Sequence, residues 1–192
     1  CGNAAANQVQ TITVSDNTAP TFTRPADITT YTSASCTYDA SVTATGDVTD
    51  EADNCSTGLQ ATFTDATVAG PCEGSRIITR TWSLVDHCGN AAANQVQTIT
   101  VSDNTAPTFT RPADITIYTS SSCTYDASVT ATGDVTNEAD NCSTGLQATF
   151  TDATVAGPCE GSKIITRTWS LVDHCGNAAA NQVQTITVSD NT

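Results

Sequence analysis

The amino-acid sequence predicts an all-β protein built from tandem Ig-like β-sandwich domains. Three observations lead to this fold class. Apolar and polar residues alternate over short segments, Thr supplies about a fifth of the 192 residues beside frequent Val and Ile, and Gly, Pro, Asn and Asp separate the segments. A period of two buries one face of a strand, and β-branched residues pack well on a pleated surface. No segment has a helical period.

Taken in chain order, five segments between residues 27 and 101 carry the alternation, and we predict a strand in each. The clearest contains Ile78, Trp82 and Leu84 as its inward side chains, with Trp82 as the core anchor and Arg80 at the sheet edge or directed outward. Six or seven strands in about 85 residues are typical of an Ig-like sandwich. The five predicted strands are residues 27–32, 38–45, 59–64, 78–84 and 96–101.

The sequence repeats with a period of 87 residues, as the tripeptide Cys-Gly-Asn at positions 1, 88 and 175 shows. We interpret residues 1–18 as the C-terminal strand of a preceding repeat, residues 19–105 as repeat 1 and residues 106–192 as repeat 2. Because the copies are nearly identical, each must do the same job. Residues 1–87 and 88–174 differ at four positions, Thr30 to Ile117, Ala34 to Ser121, Asp50 to Asn137 and Arg76 to Lys163.

Charge and motif content exclude several classes of function. With 6 Lys+Arg against 20 Asp+Glu, the net charge of -14 repels phosphate backbones, so we expect no nucleic-acid partner. No apolar run approaches the ~20 residues that span a bilayer, so we expect no membrane insertion in this segment. His87 and His174 are one repeated position beside a cysteine, and no hydrolase or phosphate-loop motif is present. We therefore expect no enzymatic activity.

The geometry of a strand limits how the four cysteines of a repeat pair. Roughly ten extended residues separate successive cysteines by about 30 Å, whereas bridged Cα atoms lie within ~7 Å. Antiparallel strands instead bring alternate cysteines to the same end of the sandwich. We predict two disulfides per repeat and hence an oxidising compartment, with Cys1 left over and free buried thiols as the alternative. The predicted bonds are Cys36 to Cys72, Cys55 to Cys88, Cys123 to Cys159 and Cys142 to Cys175.

The same strand order places several carboxylates and Asn side chains at the junction between neighbouring repeats. Hard oxygen ligands of this kind suit Ca²⁺, although the spacing is not that of an EF-hand, and solvated turn-forming residues are the alternative. Exchange of Asp50 for Asn137 keeps an oxygen and removes a charge. The candidate ligands are Asp16, Asn17, Asp50, Glu51, Asp53 and Asp86 in the first set and Asp103, Asn104, Asn137, Glu138, Asp140 and Asp173 in the second.

Three motifs together resemble the hyalin repeat (HYR) family, and more closely the tandem HYR-like repeats of very large surface proteins of gliding Bacteroidota. They are Asp-Asn-Cys at residues 53–55, Val-Asp-His-Cys-Gly-Asn at 85–90 and Asp-Asn-Thr-Ala-Pro at 103–107. The resemblance covers all 192 residues and implies an Ig-like fold, export to the cell surface and a role in adhesion or extension. The usual HYR pattern does not require the Cys36 to Cys72 bond, which depends on the strand geometry alone.

These observations predict a structural repeat of a long extracellular stalk or fibre that serves cell-surface adhesion or extension. Its partners would be neighbouring repeats of the same chain and, in a fibre, like chains. The alternative is a module that binds a glycan or a protein through its domain-end loops. The four differences between the copies are scattered and form no evident recognition site, which favours the structural role.

Overall fold

The computed structural model describes residues 1–190, and nearly all of its regular structure is β-strand. The all-β, Ig-like sandwich class predicted from the alternation is confirmed. In the first repeat the elements are β1 Thr21–Thr23, β2 Ile28–Tyr31, α1 Val42–Thr45, β3 Thr49–Ala52, β4 Thr62–Ala69, β5 Arg76–Ser83 and β6 Gln95–Ser102. In the second they are β7 Thr108–Thr110, β8 Ile115–Tyr118, α2 Val129–Thr132, β9 Thr136–Ala139, β10 Thr149–Ala156, β11 Lys163–Ser170 and β12 Gln182–Ser189.

Each repeat contributes a four-stranded and a two-stranded sheet. Strands β10, β11, β12 and β8 form the larger sheet of the second repeat in that order, and β7 pairs with β9 in the smaller one. The pairs β10–β11 and β11–β12 are antiparallel, whereas β12–β8 is parallel with Ile186 opposite Ile115. The first repeat has the same orders, β2-β6-β5-β4 and β1-β3. No helix among residues 1–190 is long and apolar enough to cross a membrane.

By its contacts the chain divides into two compact units. Unit 1 comprises Cys1–Asp27, Ser41–Ala66 and Thr79–Thr98, and unit 2 comprises Ile28–Ala40, Thr67–Ile78 and Ile99–Thr192. Unit 2 thus includes three segments of repeat 1, residues 28–40, 67–78 and 99–105, together with the described residues of repeat 2. The sequence-based domain boundaries, at residues 18 and 105, stay a prediction.

The core consists of the residues that alternate along the central strands. In unit 1, Trp82 is 1% exposed and packs with Phe22, Leu59 and Leu84, so the predicted anchor is confirmed. In unit 2, Ile78 packs with Ile99 and Val101. Two further clusters of unit 2 repeat these arrangements, Phe109 with Trp169 and Leu171, and Ile165 with Ile186 and Val188.

The position predicted for Arg80, at the sheet edge or outward, is wrong. Arg80 is 1% exposed and makes a bidentate ion pair with Asp65, with Nε to Oδ1 and Nη2 to Oδ2 both at 2.8 Å. Its guanidinium lies over the Phe63 ring at 4.1 Å from the centroid. A planar guanidinium that is fully paired and stacked tolerates burial, so the charge lies inside the strand layer rather than in water.

The strand predicted at residues 38–45 is also wrong, because Val42–Thr45 forms one helical turn. Two long side chains hold this turn from the sheet. Arg80 Nη1 donates to Thr45 Oγ1, and Gln97 Nε2 donates to the Thr45 carbonyl, both at 2.8 Å. Tertiary hydrogen bonds therefore override the β propensity of the Val-Thr-Ala-Thr sequence. The strand expected at 59–64 begins later, as β4, and β1 and β3 were not predicted.

Candidate functional site

Two disulfides join segments of repeat 1 to loops of repeat 2, and both lie within unit 2. Cys36 is bonded to Cys142 and Cys72 to Cys175, with Cα–Cα distances of 5.0 and 5.1 Å. The predicted bonds Cys36 to Cys72, Cys55 to Cys88, Cys123 to Cys159 and Cys142 to Cys175 are therefore wrong. Within residues 1–190, the thiols of Cys1, Cys55, Cys88, Cys123 and Cys159 are free.

The structure shows that alternate cysteines do share an end, although they do not bond to each other. The turn after Cys72 lies against Cys36, since a Cβ added to Gly74 would be 2.9 Å from Cys36 Sγ and 2.7 Å from Cys142 Sγ. Gly74 has φ +81°, a conformation that glycine adopts without strain. The strand geometry limits pairing only within one repeat, whereas a tandem array also permits bonds from one repeat to the next.

Glu73 forms a second link between these segments. Its carboxylate accepts hydrogen bonds from the Thr144 backbone N–H at 3.1 Å and the Thr144 hydroxyl at 3.0 Å. It also lies 2.8 Å from His174 Nδ1. The hydrogen bond with His174, followed by those from Thr144, holds the pKa of Glu73 below its ordinary value. These contacts orient the loops that carry Cys142 and Cys175.

A third link runs through the segment that connects the two repeats. Asn141 Nδ2 donates to the Ser33 carbonyl at 2.9 Å. The Thr32 hydroxyl donates to Asp103 Oδ1 at 3.2 Å, and Asn177 Nδ2 donates to the Asp103 carbonyl at 3.2 Å. Asp103, which follows β6, is thus tied to residues on both sides. We call the disulfides, the Glu73 contacts and this Asp103 network the junction.

Three carboxylates of the junction converge on one point. Asp103, Asp140 and Asp173 each offer an oxygen within 4.8 Å of the others. Asp103 and Asp173 are 4% and 6% exposed. Backbone N–H groups account for part of their hydrogen bonding, such as Cys142 and Ser143 to Asp140 Oδ2 at 2.9 and 2.8 Å. Asp103 Oδ2, Asp140 Oδ1 and Asn141 Oδ1 are buried with no hydrogen-bond partner.

An equivalent acidic cluster lies in unit 1. Asp16, Asp53 and Asp86 converge within the same 4.8 Å, and Asp16 Oδ2 and Asp53 Oδ1 are again buried without partners. Burial raises the pKa of Asp86, but hydrogen bonds from Asn90, Cys88 and Gly89 outweigh it and leave the pKa below its ordinary value. The Asp16 charge, then burial and the Asp53 charge, raise the pKa of the Cys55 thiol.

The other predicted ligands do not belong to these clusters of carboxylates. Asp50 and Asn137 are exposed and have φ of 57° and 56°. Asn and Asp tolerate this left-handed conformation, so the exchange between the copies is that of a turn residue. Glu51 and Glu138 accept hydrogen bonds from the N–H groups of Ala61 and Ala148. Asn17 and Asn104 directly follow Asp16 and Asp103 and are exposed.

Comparison with known proteins gives little guidance. No family model matches the chain, and no curated protein matches it. Among solved structures, that of Drosophila N-cadherin EC1-3 is similar at 11% sequence identity and a TM-score of 0.28, over 91% of this chain and 68% of that chain. A likeness at this level carries no inference about the function of this chain.

Proposed function

We propose that the chain is a structural repeat of a long extracellular stalk or fibre, in which the junctions between neighbouring repeats bear the load. The observation that carries this proposal is the pair of disulfides from Cys36 and Cys72 to Cys142 and Cys175. A binding or catalytic domain bonds its cysteines to stabilise itself. Here the bonds join one repeat to the next, which is what a load-bearing array requires.

An extracellular location is consistent with the bonds and the charge. Disulfides persist in oxidising compartments and are rare in a reducing cytosol. A net charge of -14 discourages adhesion between neighbouring stalks and keeps exposed strand edges soluble. Edge strand β4 is exposed along its length and includes Asp65.

The alternative, a module that binds a glycan or protein through its end loops, receives no support from the junction. In repeat 2 the loops that would present such a site hold Cys142, Thr144 and His174, and all three contact repeat 1 segments in unit 2. These side chains are therefore engaged by the preceding repeat rather than offered to a ligand. We therefore retain the structural role.

Surface labelling of the source cells tests the role. An antibody raised against the 192-residue chain should decorate filaments on unpermeabilised cells in immunogold electron microscopy. A thiol reagent present during lysis in denaturant should leave Cys36 and Cys142 unmodified because they are bonded. Signal confined to the cytoplasmic fraction, with these cysteines reduced, would refute an extracellular stalk.

We also propose that each acidic cluster binds one Ca²⁺ ion. Asp103 is more than nine-tenths buried, and its Oδ2 has no partner although two other carboxylates lie within 4.8 Å. Asp103 and Asp173 are buried and Asp140 is half-buried, and carboxylates held this close in a partly desolvated site repel one another unless a cation neutralises them. Asp103, Asp140 and Asp173 would supply oxygen ligands of the type Ca²⁺ prefers, with Asn141 Oδ1 as a further candidate. The ion would tie the connecting segment to both loops of repeat 2.

Calorimetric titration with Ca²⁺ tests this site. We expect two ions per chain and one after Asp140→Asn, together with a melting temperature that falls when EDTA is added. Glu160→Gln removes the same charge from an exposed position and should leave two ions bound. A melting temperature unchanged by EDTA, or equal loss of Ca²⁺ in both variants, would contradict the proposal.

A further inference from the structure

We propose that Cys123 and Cys159 form one half of a junction and Cys55 and Cys88 the other half, so that every junction in a longer array contains two disulfides. Cys123 and Cys159 would bond to the copies of Cys142 and Cys175 in a following repeat. Cys55 and Cys88 would bond to the copies of Cys36 and Cys72 in a preceding one. The inference goes beyond the proposed role, because it depends on the geometry of the junction and not on what the array does.

The first half is already held in its bonded conformation. Cys123 has φ 57°, as Cys36 has φ 56°, and each donates its N–H to a Ser carbonyl at 2.9 Å. The Cys159 N–H donates to Ser162 Oγ at 3.0 Å, the same contact that Cys72 makes with Ser75. A residue other than Gly, Asn or Asp seldom adopts a positive φ. Cys123 nevertheless keeps this strained conformation without a disulfide.

The Gly residue that accommodates the disulfide is also in place. A Cβ added to Gly161, with φ +79°, would lie 3.2 Å from Cys123 Sγ. At Gly74, with φ +81°, the same construction gives 2.9 Å to Cys36 Sγ. The turn after Cys159 therefore lies against Cys123, as the turn after Cys72 lies against Cys36.

The second half is equally preformed. The Cys55 N–H donates to Asp53 Oδ2 at 2.9 Å, matching Cys142 with Asp140. The Cys88 N–H donates to Asp86 Oδ1 at 2.8 Å, matching Cys175 with Asp173. Both thiols are exposed, so another repeat has access to them.

The partner is a repeat fused to this one in the same polypeptide. In the bonded junction Asp103, on the connecting segment, accepts from Thr32 of one repeat and Asn177 of the other. In unit 1, Asn90 Nδ2 already donates to the Asp16 carbonyl at 3.2 Å, the contact that Asn177 makes with Asp103. Asp16 thus occupies the position in unit 1 that Asp103 occupies in the bonded junction. A separate polypeptide would not supply a connecting segment of this kind, which is why we place the partner repeat in the same chain.

Formation of each bond removes one proton from each of two thiols and two electrons from the pair. A dithiol oxidase that carries a reactive disulfide would accept these electrons through a mixed disulfide and be reduced to its dithiol form. The two halves of a junction are formed by different cysteines, so the contact is heterologous. A junction therefore remains available for each repeat that is added.

This arrangement shortens the covalent path through each repeat. Cys72 and Cys88 are linked by strand β5 and its flanking turns, so a load that enters at one bond leaves at the other after only 16 residues of chain. Stretched fully, such a segment reaches about 55 Å, whereas the whole 87-residue repeat reaches about 300 Å. A bonded array would therefore resist extension even when its sheets unfold.

The test is a chain of three repeats, made by adding a second copy of residues 106–192 after Thr192. Free thiols are counted with a chromogenic disulfide reagent in denaturant, for this chain and the original one. The added repeat brings four cysteines, yet we expect about five free thiols in both chains because two new disulfides form. In the matched variant Cys123→Ser with Cys159→Ser, the count should rise to about seven because the added repeat has lost its partners.

Labelling of the free thiols before reduction locates the bonds. Cys123 and Cys159 should be labelled in the original chain and protected in the extended one. A count of about nine thiols in the extended chain, with Cys123 labelled, would overturn the proposal, provided that circular dichroism shows the added repeat folded. That result would leave the surface-labelling test of the stalk unaffected, because the Cys36 to Cys142 bond would still form.

Discussion

Replacement of Cys36 by Ser should strongly destabilise unit 2. With the Cys72 to Cys175 bond intact, the Cys36 to Cys142 bond closes a ring of about 69 residues, which the chain-entropy model values at ~4.4 kcal/mol. This is a large share of the 5–15 kcal/mol by which folded domains are typically stable. Cys36→Ser should therefore lower the free energy of unfolding by about 4 kcal/mol.

The repeat provides a matched control in Cys123→Ser. Both cysteines have a positive φ, 56° and 57°, so Ser meets the same backbone strain at each position. Cys123 is free, and its replacement should change the free energy of unfolding by less than about 0.5 kcal/mol.

Urea denaturation without reductant measures both variants, with the fluorescence of Trp169 as the probe of unit 2 and that of Trp82 as the probe of unit 1. Equal losses for Cys36→Ser and Cys123→Ser would indicate bonds within each repeat and refute the pairing across the junction. In the presence of dithiothreitol the difference between the variants should disappear.

Three further outcomes follow from other residues of unit 2. Thr30 Oγ1 is buried without a partner, whereas Ile117 at the same position packs with Ile165, Ile186 and Val188, so Thr30→Ile should raise the free energy of unfolding by about 1 kcal/mol in urea titrations. A Cβ at residue 74 would lie only 2.7 Å from Cys142. Gly74→Ala should therefore lower the free energy of unfolding by about 1–3 kcal/mol more than Gly161→Ala, where the backbone strain is similar. Equal losses would show that the disulfide can move aside at no cost. The pKa of Glu73 is depressed below 4.5, so its carboxylate contributes stability above that pH and loses it as the pH falls through the depressed value. Thermal melts from pH 7 to pH 3 should therefore show Glu73→Gln less stable than the parent at neutral pH, with the difference shrinking towards the acid end.

The central strands of each sheet could be predicted from the sequence because alternate residues along them are apolar and buried. Ile78 and Trp82 point inward as the period of two requires. Residues 42–45 have an equally good strand sequence, yet Arg80 and Gln97 bind Thr45 from the sheet and form a helical turn. These contacts join residues 35 and 52 positions apart, so no local pattern reports them.

The candidate site was predicted in part for a related reason. Asp16, Asp53 and Asp86 were correctly grouped because strand direction determines which loops share an end. Glu73, Thr32 and His174 were not among the predicted residues, since their role appears only when one repeat meets the next. The repetition of the sequence carried the signal for the correct pairing. Each cysteine has a copy in the neighbouring repeat, so Cys36 and Cys72 can bond to the copies of Cys55 and Cys88.

This geometry gives a physical reason for the residues that bond across the junction to be the same in both copies. A junction joins positions from different parts of the repeat, as Cys36 meets the copy of Cys55 and Glu73 meets the copy of His87. A change at one such position in one copy leaves its partner in the adjacent copy without a match, so single changes are costly and compensation would require a second change in another repeat. None of the residues that bond across the junction is among the positions that differ. The four positions that differ, Thr30, Ala34, Asp50 and Arg76, take no part in the disulfides, the Glu73 contacts or the Asp103 network, although Ala34 lines a cavity with Asp140 and Asn141 of repeat 2.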